Sequence, residues 1–156
     1  MSEETSPSDP GCLGVVSVRM PCELGYLRVV RQNVRDFAER AGMGEDRIGQ
    51  LEMAVDEASA NIIEHSYGRK AEGVAAPAHP GLHLTMSHYP DRVVVELKDF
   101  GRGFNYAETQ SIGPDTYLAG KRQRGLGLFI IRTFVDEADY RTHATEGNLL
   151  RLVKKL

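Results

Sequence analysis

Apolar and polar residues alternate along VVSVRM, residues 15–20, and that period of two predicts a strand. From 23 to 41 the spacing changes to threes and fours. Leu24, Leu27, Val30, Val34, Phe37 and Ala38 then share one stripe of an amphipathic helix, ended by Gly42 and Gly44. The same period over 46–67 lines up Ile48, Leu51, Val55, Ala58 and Ile62, a second helix stopped by Gly68. Period two returns in LHLTMSHY (82–89) and RVVVELKDF (92–100), and the turn pair Pro90-Asp91 between them predicts a hairpin. GLGLFIIRTFVD (125–136) predicts a helix opened by glycines. Residues 138–143 and 149–153 predict a closing hairpin around Glu146-Gly147.

Three stretches lack such a period. Residues 1–14, opening with MSEETSPSDPG, are polar and rich in Pro and Ser, which predicts a disordered tail. Residues 69–81 predict a loop, and 104–124 a functional loop or lid. The order β-α-α-β-β-lid-α-β-β predicts an α/β two-layer sandwich. Its sheet is expected to be single, mixed and mostly antiparallel, with the helices on one face, in a single domain over 15–156.

Composition narrows the partners. A net charge of −3 argues against nucleic acid as the direct partner. No apolar run is long enough to span a bilayer and no secretory pattern opens the chain, so a cytoplasmic protein without membrane attachment is expected. Cys12 and Cys22 have no metal-ligand spacing and are expected to be free thiols. His83 and His88 are an odd number apart on one strand, hence on opposite faces, which argues against a metal site there. The polar side of the first helix, with Arg31, Arg35 and Glu39, reads as a solvated face.

Three segments carry candidate chemistry. In DEASANIIEHSYG (56–68), Glu57 and Asn61 are four apart and project from one helix flank, at the margin of the apolar stripe. A carboxamide oxygen suits magnesium, and a neighbouring carboxylate can act as a general base. In KDFGRGF (98–104), Asp99 ends a strand and is followed by Gly101 and Gly103, which let the backbone approach a flat ligand; a buried carboxylate there can accept from an exocyclic amine. In RGLGLFIIRTF (124–134), Gly125 and Gly127 open a helix whose unpaired N–H groups favour phosphate, with Lys121, Arg122 and Arg124 upstream. The Asp99-Phe100-Gly101 triplet also occurs in protein kinases of the Gly-rich-loop class. Those require a strand lysine and a His-Arg-Asp loop before it, and this chain has neither.

Taken in order, the three segments resemble the ATP-binding domain shared by gyrase, MutL, histidine kinases and Hsp-type chaperones, the GHKL or Bergerat fold. EMAVDEASANIIEHSYG looks like its N-box, KDFGRGF its first glycine box and RGLGLFIIRTFVDE its second. Within that superfamily the chain is most similar to the anti-sigma factor serine kinases of bacterial stress and sporulation switches, over about residues 15–156. The resemblance implies ATP and Mg2+ as cofactors. It implies Asn61 as magnesium ligand, Glu57 as catalytic base toward a partner's serine, and Asp99 as acceptor from the adenine amine, with Gly101 and Gly103 shaping the pocket. Gly125 and Gly127, with Leu126 and Leu128, would cradle the phosphates through backbone N–H groups. Arg124 stands where the family often has a small residue, which implies a stiffer hinge or a direct phosphate contact. Glu146-Gly147-Asn148 replaces the family's more usual Gly-Thr. The implied partners are a STAS-domain anti-sigma antagonist, a sigma factor and a second copy of the chain. Two alternatives remain: a non-catalytic nucleotide-binding anti-sigma module, and a switch kinase acting on a scaffold STAS protein without binding sigma.

Overall fold

The computed structural model describes residues 9–66, 81–101, 125–143 and 145–156, with the backbone alone at 65, 66 and 125–128. Among the described residues five strands form one sheet: β1 (Gly14–Met20), β2 (Leu82–His88), β3 (Arg92–Asp99), β4 (Glu137–His143) and β5 (Gly147–Lys155), in the order β1-β2-β3-β5-β4. Every pairing among the described residues is antiparallel, where a mixed sheet was expected. Helices α1 (Leu27–Arg40), α2 (Glu45–Asn61) and α3 (Gly125–Phe134) make the second layer.

Strand alternation and register together build the core. Val18, Leu84, Leu97, Leu150 and Tyr140 stand side by side across the five strands, and Val16, Met86, Val95, Leu152 and Ala138 form the adjacent row. The inner members of both rows are fully buried. Ile48, Leu51, Val55, Ala58 and Ile62 bury the predicted stripe of α2 in the same cluster, and Val30, Val34 and Ala38 do so for α1. Leu24, expected on that stripe, is exposed, because residues 24–26 form a separate short helical turn before α1 begins.

Three further expectations are corrected. Gly14 belongs to β1, and residues 9–13, expected in a disordered tail, are fastened to the sheet's outer face. The Leu13 N–H donates to His88 O at 2.7 Å, Tyr89 Oη donates to Asp9 Oδ2 at 2.5 Å, and Cys12 packs on Tyr89, Val94 and Val153. Burial first, then the bond to Asp9, push the Tyr89 phenol up to about 12. The polar side of α1 is not simply solvated. Arg31 pairs with Asp56 at 3.2 Å, and Arg35 reaches Glu52 and Glu45 at 2.8 Å each, so this side is a charged seam against α2. Finally, α2 ends at Asn61, short of the predicted span. After Asn61 the coil widens into a π-helical turn over Ile62–Ser66, and the Ile62 N–H is shared between the Ala58 and Ser59 carbonyls.

The helices run in defined directions over the sheet. At the start of α2, Arg47 donates to Lys155 O at 3.3 Å, so α2 begins over the last residue of β5. At the end of α3, the Asp136 N–H donates to Val153 O at 2.9 Å, and Lys154 Nζ donates at 2.6 Å both to Phe134 O and to Gln50 Oε1 of α2. Both helices therefore extend from that end of β5 toward the other, where Asp99 pairs with Asn148. Asn61 and Gly125 are the helix ends away from Lys154 and Lys155.

Candidate active site

At this edge the ladder of core residues turns polar. Asp99 lies two residues beyond Leu97 and so faces the helix layer, and its register partner is Asn148 on β5. Both are buried. Asp99 Oδ1 accepts two hydrogen bonds, from the Gly101 N–H at 3.0 Å and from Asn148 Nδ2 at 2.9 Å. The first ties the turn after β3 to the carboxylate that ends the strand. Cys22, just past β1, is close enough for the Asp99 charge to add to burial in pushing its thiol up to about 12, so the thiol stays protonated. Neither cysteine is in a disulfide.

Glu57 and Asn61 stand on the last turns of α2, and both are half-buried. Burial raises the Glu57 carboxyl above the ordinary carboxylate value, and the neighbouring charges of Asp56 and Glu64 push it further. Asp56 is itself paired with Arg31 of α1. A carboxylate in such surroundings is a stronger base than one in water, and it lies one helical turn from a neutral, hard carboxamide oxygen.

The third component is the start of α3. Its backbone is helical from Gly125, so the first N–H groups of this ten-residue helix have no partner within it. Gly125, Leu126, Gly127 and Leu128 thus supply a helix N-terminus. Gly103, Arg124, the basic pair Lys121 and Arg122, and the expected lid lie outside the described residues. Of the candidate residues that are described, hydrogen bonds join Asp99 and Gly101, through Asn148 and directly, while Glu57 and Asn61 share one flank of α2 and Gly125 to Leu128 open α3.

Asn148, part of the segment that stands in for the family's Gly-Thr, donates from Nδ2 to Asp99 Oδ1 and to Gly101 O at 2.9 Å each. Its signal lay in the position: the residue after a glycine at the head of the last strand, opposite a strand-end aspartate.

The family of histidine kinase-like ATPase domains matches residues 20–154, and the chain belongs to it. Among individual proteins, the chain is 28% identical over 146 residues to the serine-protein kinase RsbW of Staphylococcus epidermidis, covering 90% of this chain and 87% of that one. It is equally similar to the serine-protein kinase RsbW of Staphylococcus aureus, with the same coverage. Two solved structures share the fold. The RsbU and RsbW domains of a Mycobacterium tuberculosis protein match with a TM-score of 0.63 at 18% identity, over 92% of this chain and 32% of that one. The SiaB–SiaC complex of Pseudomonas aeruginosa matches with a TM-score of 0.56 at 12% identity, over 94% and 91%.

Proposed function

We propose that this protein is an ATP-dependent protein-serine kinase and anti-sigma regulatory factor. It phosphorylates a STAS-type anti-sigma antagonist in a partner-switching system that controls bacterial transcription, with a sigma factor as its other partner and a cytoplasmic setting. The observation that supports this reading is the buried Asp99 carboxylate at the end of β3, tied to the Gly101 turn and to Asn148, in a chain that also holds Glu57 and Asn61 on one flank of α2. Proteins similar over nine-tenths of the chain are named serine-protein kinases, which supports the same chemistry.

Each residue has a physical task in this reading. Asp99 accepts a hydrogen bond from the adenine amine, and the turn at Gly101 admits the ring. The first N–H groups of α3 bind phosphate oxygens at the positive end of the helix dipole. Asn61 offers its Oδ1 to magnesium, whose chemistry when bound is to neutralise phosphate charge. Glu57, made more basic by its surroundings, takes the proton from a seryl hydroxyl as that oxygen forms its bond to the γ-phosphorus and ADP departs. Positioning and charge account for most of the catalysis in such a transfer.

Isothermal titration calorimetry with MgATP tests the pocket. Wild type is expected to bind, and Asn61→Ala to bind roughly 10- to 100-fold more weakly, the range typical of damage to a metal site. Unchanged MgATP affinity in Asn61→Ala overturns the assignment.

A further inference from the structure

The carboxamide of Asn148 is 3% exposed and spends its amide hydrogens inside the protein. Nδ2 donates to Asp99 Oδ1 at 2.9 Å and to Gly101 O at 2.9 Å. An amide nitrogen has two hydrogens, so its donor capacity is used up. The Gly101 N–H returns to the same Asp99 oxygen at 3.0 Å, closing a set that joins a strand-end carboxylate, the turn beyond it and the neighbouring strand. The close approach of β5 depends on Gly147, whose φ is +88°. A Cβ there would lie 2.6 Å from Asp99 O and 2.9 Å from the Phe100 ring. Gly147 lets the strand come in, and Asn148 uses the proximity.

We propose that Asn148 is a positioning residue for the base of the bound nucleotide. It fixes the Asp99 carboxylate and the path of the Gly101 turn before the ligand arrives, so that binding does not have to order them. This rests on the ATP-binding reading above. A carboxamide serves the task because it gives two donors in one plane, where a hydroxyl gives one. With both donors spent, the polar atom that Asn148 has left is an acceptor oxygen. The role is therefore local to the base and does not extend to the phosphates, which meet the start of α3.

The test compares a ligand that has a base with one that has none. Asn148→Asp is nearly isosteric but turns the donor that faces Asp99 into an acceptor. MgATP binding to this variant is expected to fall roughly 10- to 100-fold, the consequence of an unpaired, repelling contact at a buried charge. Binding of magnesium tripolyphosphate, read by displacement of a fluorescent ATP analogue from each protein, is expected to stay within about twofold of wild type. Asn148→Ser, which keeps one donor, guards against a variant that does not fold. It is expected to lose roughly three- to tenfold for MgATP and nothing for tripolyphosphate. Equal weakening of both probes marks a merely structural residue and overturns the proposal, as does unchanged MgATP affinity in a folded variant; either leaves the ATP-binding reading standing. A wild type that binds no MgATP overturns both.

Discussion

Glu57 shows how the same surroundings act on chemistry and on stability in opposite directions. Burial, then Asp56 and Glu64, raise its folded-state pKa above the ordinary carboxylate value. The fold therefore favours the neutral carboxyl. That contribution is complete below the unfolded value of about 4.3 and is lost as pH rises through the higher folded value. Above that folded value the ionised side chain costs stability. Glu57→Gln is expected to raise Tm near neutral pH, with the gain fading toward about pH 4, where both forms are uncharged. Thermal melts across that range check it, and a gain independent of pH would contradict the cause given. Glu57, Asn61 and Asp99 were legible because each sits at a fixed offset from an apolar period. Asn148 was not, since its role exists only when β5 is laid beside β3, 49 residues from the aspartate it contacts.

Among elements, Lys154 ties β5, α2 and α3 together at the end opposite the site. Its Nζ donates at 2.6 Å to Gln50 Oε1 and at 2.6 Å to Phe134 O, and burial holds its pKa below the usual lysine value. Lys154→Met keeps the apolar stem but leaves two acceptors without their donor. It is expected to lower unfolding free energy by about 1–3 kcal/mol, read from the urea midpoint; an unchanged midpoint would show that the two contacts contribute nothing net. The helix stripes and strand alternation were readable because burial follows the period of each element. The charged seam between α1 and α2 was not, because an exposed arginine and an arginine paired across a helix interface look alike in one dimension. The same holds for Asp9, whose anchoring to Tyr89 is a contact across 80 residues. The widened turn after Asn61 had no marker either, since neither Gly nor Pro lies within Ile62–Ser66.

At the scale of the whole molecule, α2 starts and α3 finishes at one end of one antiparallel sheet, which carries Asp99 and Asn148 at the other. The order of elements fixed which segments could meet there, and register fixed which side chains do. The account's central claim is that this edge transfers phosphate to a serine. The most direct measurement incubates the protein with ATP labelled at the γ-phosphate, magnesium and STAS-domain proteins from its own organism, comparing wild type with Glu57→Gln. The account predicts label on a partner serine with wild type and none with Glu57→Gln, while both proteins bind MgATP. A wild type that binds MgATP yet labels no partner, or a Glu57→Gln variant that labels as well as wild type, would contradict it.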